Sequence, residues 1–291
     1  MSRGALRGVQ GPGERFRGPA IALLTALGSL PGVADASTST ICELPHPRLV
    51  VQFHPAAREP FNLSDIDRAL AAGVHGLELD VRLRPADRAV VCNHSARGLA
   101  DRPTLAQSID RILEHQGEAS SVQRDGLQFF LVLDVKEDSP AVHAGIVEVL
   151  RRYARHWSTA AGPRDGPRGI TVVVTGSAPG LAHAATERTV DSLCIIEGLD
   201  YRGRIRNISP GAACFQWISI QHPGERGRVR ALHTGMDLAK RGIFNVRAYG
   251  CHAALAGCVS AGVDAVNADR SELPAAIALA TSASIKSGRP R

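Results

Sequence analysis

The chain contains no Cys-x-x-Cys pair, which argues against a cysteine-ligated zinc site. It has no run of the roughly 20 apolar residues that a helix needs to cross a bilayer. Its most apolar early stretch, GPAIALLTALGSL, falls well short of that. No glycine-rich phosphate loop follows the first β-branched run: RLVVQF leads into HPAAREPFN, and the next glycine is Gly73. That absence counts against a doubly wound nucleotide-binding sheet. Internal repeats, low-complexity tracts and a Pro/Gly/Ser-rich linker are all missing, so nothing divides the chain into two domains. The formal net charge of +6 is mild and scattered, which excludes nucleic acid as an expected partner.

What is present fits a globular protein, with 44% hydrophobic and 21% charged residues. Arg3, Arg7, Arg15 and Arg17 precede the early apolar stretch, and Ala34-Asp35-Ala36 follows it. A basic region, an apolar region and a small-x-small site together describe a cleaved secretory signal over residues 1–36. The expected organisation is then a linker at 37–48, one domain at 49–280 and a disordered tail at 281–291. Removal of the leader leaves about 255 residues with charge +4, the usual size of an eight-stranded α/β barrel. The weak positive charge suits contact with an anionic membrane surface. All six cysteines (Cys42, Cys92, Cys194, Cys214, Cys251 and Cys258) lie beyond the leader, and an even number in an exported chain predicts at least one disulfide.

Two textures alternate along the remainder. Short β-branched runs (RLVVQF, GLELDV, AVVCNH, FFLVLDV, ITVVVTG, SLCIIEG, CFQWISI, FNVRAY and DAVNAD) are separated for the most part by helical stretches. Near-continuously apolar strands alternating with helices indicate a parallel sheet covered on both faces. Nine runs compete for eight places in a (β/α)8 barrel. GLELDV and AVVCNH are joined only by the short polar turn RLRPADR, so one of the two is expected to hairpin outside the ring.

The informative residues fall at the ends of these runs. Glu78 and Asp80 are two apart in GLELDV and so project to one face of a strand. Carboxylates that close repel unless a cation lies between them, and a hard divalent ion is the usual solution. His54 ends the first run and His94 the third, while Asp134 and Lys136 end FFLVLDVK. An α/β barrel builds its active site at this end of its strands. Arg247 and Tyr249, again two apart, would point into the barrel mouth, where they are expected to contact a phosphate or head group, since an arginine there needs an anionic partner. Trp217 is a candidate for stacking on a choline-like head group.

In this order, His54, the ExD pair Glu78/Asp80, His94, Asp134-x-Lys136 and the closing FNVRAYG…AGVDAVNAD, the chain resembles the glycerophosphodiester phosphodiesterase/phosphatidylinositol phospholipase C-like barrel superfamily, over roughly residues 48–280. The resemblance implies a secreted, metal-dependent phosphodiesterase or phospholipase. Glu78, Asp80 and Asp134 would ligate a divalent cation, Mg²⁺ first and Ca²⁺ second. His54 and His94 would be the acid/base pair, Lys136 would neutralise phosphate charge, and a cyclic phosphate is one product such enzymes form. Pro55-Ala56 stand where the family carries Arg-Gly after its first histidine, which moves the basic residue to Arg58. Asp134-x-Lys136 is the form of the sphingomyelinase D-like branch, although the chain ends TSASIKSGRPR without that branch's acidic, aromatic tail.

Elementary chemistry supports the same reading. Displacement at a phosphodiester concentrates negative charge that a hard cation and a lysine stabilise, while two histidines move the protons. A glycoside hydrolase also uses barrel carboxylates, but paired histidines at strand ends fit it poorly. A barrel that binds phospholipid head groups without turnover is the non-enzymatic alternative. The head group and the oligomeric state are not written in the sequence.

Overall fold

A computed structural model describes residues 49–55, 60–117, 129–137, 139–157, 170–176, 193–199, 217–221, 245–251, 254–260 and 263–286; for 193–199, 217–221, 245–246 and 283–286 the backbone alone is described. The leader, the linker, Arg58, Cys42, Cys214 and the stretches PGLAHAATERTV and GERGRVRALHTGMDLAKRG lie outside the described residues, as do the side chains of Trp217 and Cys194.

Nine strands form one sheet: β1 (Val50–Phe53), β2 (Gly76–Leu83), β3 (Val90–Cys92), β4 (Phe129–Val135), β5 (Ile170–Gly176), β6 (Leu193–Leu199), β7 (Trp217–Gln221), β8 (Asn245–Tyr249) and β9 (Ala265–Ala268). Eight of them run parallel in the order β1-β9-β8-β7-β6-β5-β4-β2, and β1 pairs with β2 to close the ring. The ninth is β3, which lies antiparallel to the far end of β2 through Val81↔Cys92 and Leu83↔Val90. AVVCNH is therefore the run that hairpins outside the barrel. The connection between the two strands, residues 84–89, is too short for the crossover that a parallel strand would need.

Alternation along each strand sorts the two faces. Val51, Phe53, Leu77, Leu79, Val81, Leu131, Leu133, Val172 and Val174 point outward into one hydrophobic core shared with the helices. Each such side chain contributes roughly 1.5–3 kcal/mol by leaving water. Ile66, Ala69 and Leu70 of helix α1 (Leu63–Ala72), Leu105, Ile109 and Ile112 of α2 (Leu105–Gly117), and Val142, Ile146 and Leu150 of α3 (Pro140–Arg152) cover that face. The inward set is polar near the C-terminal ends of the strands, and this is where the candidate residues lie.

Helix α1 begins and ends on recognisable signals. The Asn62 N–H donates to Asp65 Oδ2 at 2.9 Å, and Gly73 closes the helix at φ 85°, a conformation that costs glycine nothing. Asp65 is only 1% exposed, and Arg270 beyond β9 donates to both of its oxygens at 2.8 and 2.7 Å. This pair ties the first helix to the end of the last strand. Asp65→Ala is expected to destabilise the fold by roughly 3 kcal/mol, since it strips a charged group of its buried partner and removes a cap. Urea unfolding would measure this, and a midpoint equal to that of the unaltered protein would show that the tie carries no stability.

The stretch after Ser139 is helical only to Arg152, then tightens into a 3-10 turn over Ala154–His156. The C-terminal segment is not a tail from residue 281: helix α5 (Leu273–Lys286) continues to Lys286. Its Leu273, Ala276 and Ala280 are buried in the core, so packing rather than polarity decides its length. Between β8 and α5 a short helix α4 (Leu255–Ser260) is stapled by a Cys251–Cys258 disulfide. Cys92 is a free, buried thiol whose pKa burial pushes up to about 12, so it is inert as a nucleophile. Among the described residues no helix is long and apolar enough to cross a membrane.

Candidate active site

Strand register brings the separated candidates together. Asp80 on β2 stands opposite Asp134 on β4, so both carboxylates leave the sheet on the inner face at the same height. His54 follows the last residue of β1, and its N–H donates to the Ala268 carbonyl of β9 at 2.9 Å. His94 is positioned by the outer hairpin. The Asn93 N–H donates to the Asp80 carbonyl at 2.8 Å, and Arg82 Nε donates to the His94 carbonyl at 3.0 Å. Lys136 is anchored similarly, its N–H donating to the Val81 carbonyl at 3.1 Å.

Asp80 is the hub. Its Oδ2 lies 2.8 Å from His94 Nδ1 and 3.3 Å from His54 Nε2, and its Oδ1 lies 2.8 Å from Lys136 Nζ. Burial would favour the neutral carboxyl, but the bonds from His54 and Lys136 hold its pKa far below the usual carboxylate range. An ionised carboxylate only accepts. Both rings therefore present an N–H to it, leaving His54 Nδ1 and His94 Nε2 as the nitrogens open to a proton. Burial lowers the pKa of His54, but the Glu78 charge and the Asp80 hydrogen bond outweigh it and raise the pKa overall. Lys136 also reaches Asp134 Oδ2 at 2.5 Å. Burial, with the Glu78 charge adding to it, pushes the Asp134 carboxyl up.

Glu78 lies deeper, 3% exposed. Its Oε2 accepts from Arg247 Nη1 on β8 and from Asn267 Nδ2 on β9. Arg247 Nη1 also donates to Gln52 Oε1 at 3.3 Å and to Asn267 Oδ1 at 3.2 Å. Desolvation opposes ionisation of Glu78, yet the Arg247 charge keeps its pKa lowered. The anionic partner that a buried arginine requires is thus Glu78, within the barrel itself. Tyr249 lies beside this pair, its ring centroid 5.8 Å from the Arg247 guanidinium carbon.

The donor set suits a hard divalent cation. Glu78, Asp80 and Asp134 each offer an oxygen, all within 4.8 Å of one another. Asp80 Oδ1 is buried, with the Lys136 ammonium 2.8 Å away.

Three contributors escaped the sequence reading. Gln52 and Asn267 are neutral amides whose only signal is their spacing from strand ends, Gln52 lying two residues before His54. The third is Gly176, at φ 79°, where a methyl group would stand 2.1 Å from Asp134 Oδ1. Gly176→Ala is expected to displace Asp134 and lower divalent-cation affinity ~10-fold, as changes beside a ligand commonly do. Calorimetric titration with Mg²⁺ or Ca²⁺ tests this, and unchanged affinity in a folded variant would contradict it.

No protein-family model and no curated protein matches this chain by sequence. Solved structures do match. A Ca²⁺-dependent phosphatidylinositol-specific phospholipase C from Streptomyces antibioticus superposes with TM-score 0.55 at 14% identity, covering 79% of this chain and 95% of that one. A glycerophosphodiester phosphodiesterase from Parabacteroides distasonis gives 0.52 at 12% identity, covering 83% and 100%. A homocysteine methyltransferase from Escherichia coli gives 0.50 at 12% identity, covering 84% and 99%. Similarity shared with so different a chemistry concerns the scaffold. At these identities the comparisons establish that the chain has the fold of the α/β-barrel enzymes.

Proposed function

We propose that the protein is a secreted, divalent-cation-dependent phosphodiesterase that cleaves a glycerophosphodiester or phospholipid by histidine acid/base catalysis. The observation that carries this reading is the arrangement around Asp80, where two histidines and a lysine converge on one buried carboxylate beside two more. The structural matches include a phospholipase C and a glycerophosphodiester phosphodiesterase, which supports the choice of chemistry. The leader-like N-terminus and the Cys251–Cys258 bridge support an extracellular or periplasmic setting. The mild positive charge supports peripheral contact with a lipid surface.

Glu78, Asp80 and Asp134 would hold the cation, Mg²⁺ ahead of Ca²⁺ by this reading; when bound, it supplies Lewis-acid stabilisation of phosphoryl charge. The chain does the rest. Lys136 neutralises a phosphate oxygen. One ring, through His54 Nδ1 or His94 Nε2, takes the proton from the attacking hydroxyl as the new P–O bond forms. The other, entering protonated, delivers a proton to the leaving oxygen as the old P–O bond breaks. If the attacking hydroxyl belongs to the substrate, the product is a cyclic phosphate. Asp80 keeps both rings oriented throughout.

Phosphorus NMR of sphingomyelin, lysophosphatidylcholine and glycerophosphocholine, each with the protein and either Mg²⁺, Ca²⁺ or a chelator, tests the proposal. New phosphorus resonances that require the cation are expected from at least one of the three. Folded, cation-loaded protein that transforms none of them would overturn the reading in favour of a head-group binder.

A further inference from the structure

The carboxylate cluster is one of two groups that converge on Asp80. The other is His54, Asp80 and His94, whose ligating atoms also lie within 4.8 Å of one another. We infer that these three residues form a second, chemically distinct metal site, selective for a late first-row divalent ion such as Zn²⁺, and that its occupation switches the enzyme off.

Donor chemistry separates the two sites. Glu78, Asp80 and Asp134 present only oxygen, which suits Mg²⁺ and Ca²⁺. Two imidazoles and one carboxylate present N₂O, which Zn²⁺ and Cu²⁺ favour and hard cations do not. The spacing is already near that of a bound ion. Bonds of about 2.0–2.1 Å arranged tetrahedrally place neighbouring donor atoms roughly 3.3 Å apart. His54 Nε2 and Asp80 Oδ2 are separated by 3.3 Å. His94 Nδ1, at 2.8 Å from the same oxygen, must withdraw by a few tenths of an ångström, and its side chain is 41% exposed and able to do so. Both histidines are anchored through their backbones, to Ala268 and Arg82, so the rings can adjust while their Cα positions hold. A small cavity lined by Pro55, Phe61, Leu79, Cys92 and Asn93 adjoins Asp80 and His94.

The inhibitory consequence rests on the function proposed above. A ring nitrogen committed to a metal neither holds Asp80's hydrogen bond nor keeps the orientation that aims its other nitrogen at substrate. Both histidines are captured at once.

The test uses Cu²⁺ as a spectroscopic probe, added to purified protein with Mg²⁺ in large excess. Electron-spin-echo spectroscopy is expected to resolve two imidazoles on one bound ion. His54→Gln and His94→Gln should each remove one imidazole from that signal, while Asp134→Asn should leave both, with circular dichroism confirming the fold of every variant. A two-imidazole signal that survives in both histidine variants would overturn the site, as would its loss in Asp134→Asn. Zn²⁺ at equimolar concentration should then lower turnover by about 100-fold, the scale of the acid/base work withdrawn. A protein that carries the two-imidazole signature but turns over normally with Zn²⁺ would refute the inhibitory role. Because the signature does not depend on turnover, a protein inactive on every phosphodiester would refute the proposed function and still decide the metal site.

Discussion

Replacing His54 by alanine is expected to lower turnover by ~10³-fold, in the middle of the range for a positioned acid or base. At 1.36 kcal/mol per decade this is about 4 kcal/mol of transition-state stabilisation. The effect should fall on kcat with KM little changed, because the ring handles a proton and does not anchor the substrate. His94→Ala should match it in order of magnitude. On the proposed mechanism the double variant should be far less damaged than the product of the two, since both rings act in one displacement and are oriented by the same Asp80. Steady-state kinetics, with thermal unfolding as a control for folding, measures all three variants. A His54→Ala enzyme within about threefold of full activity would remove His54 from the chemistry.

The largest expected effect on stability lies one layer deeper. Arg247 is 2% exposed, and its Nη1 serves Glu78, Gln52 and Asn267 together. Arg247→Met leaves the Glu78 carboxylate buried without its counter-charge, and a loss of roughly 3–5 kcal/mol is expected. The same substitution combined with Glu78→Gln should recover much of that, because the penalty belongs to the unpaired charge rather than to the missing arginine. Urea denaturation of the two single variants and the double variant gives the coupling directly. If Arg247→Met lies within about 1 kcal/mol of the unaltered protein, the pair is not a stabilising element.

Much of this architecture was legible because strand alternation is a short-range property. Glu78-x-Asp80 and Asp134-x-Lys136 declare their shared faces within three residues, and apolar strands alternating with helices declare a covered parallel sheet. The extra strand was legible from the brevity of RLRPADR. Long-range pairing was not. Nothing within FNVRAY shows that Arg247 meets Glu78, which lies 169 residues earlier, because only the closed ring sets their common height. Gln52 and Asn267 carry no charge to mark them. Gly176 looks like any turn glycine until Asp134 is placed beside it. Helix α5 eluded the pattern for another reason: LPAAIALATSASIK is apolar and small on every side, so no 3.6-residue period separates its faces.

The closure of the ring has a consequence for when the site around Asp80 is assembled. Gln52 meets Arg247 across 195 residues, and Glu78 meets Asn267 across 189. β1, which leads into His54, gains its second neighbour only when β9 arrives. Contacts of such separation are the slowest to form, because the loop entropy must be met before they reward it. A nascent chain interrupted between residues 136 and 246 thus holds its histidines and carboxylates on an open ribbon, without Arg247, Asn267 or the last strand that gather them. The cluster around Asp80 is therefore complete only once the last strand is in place, and a chain stopped short of it carries the residues without the site.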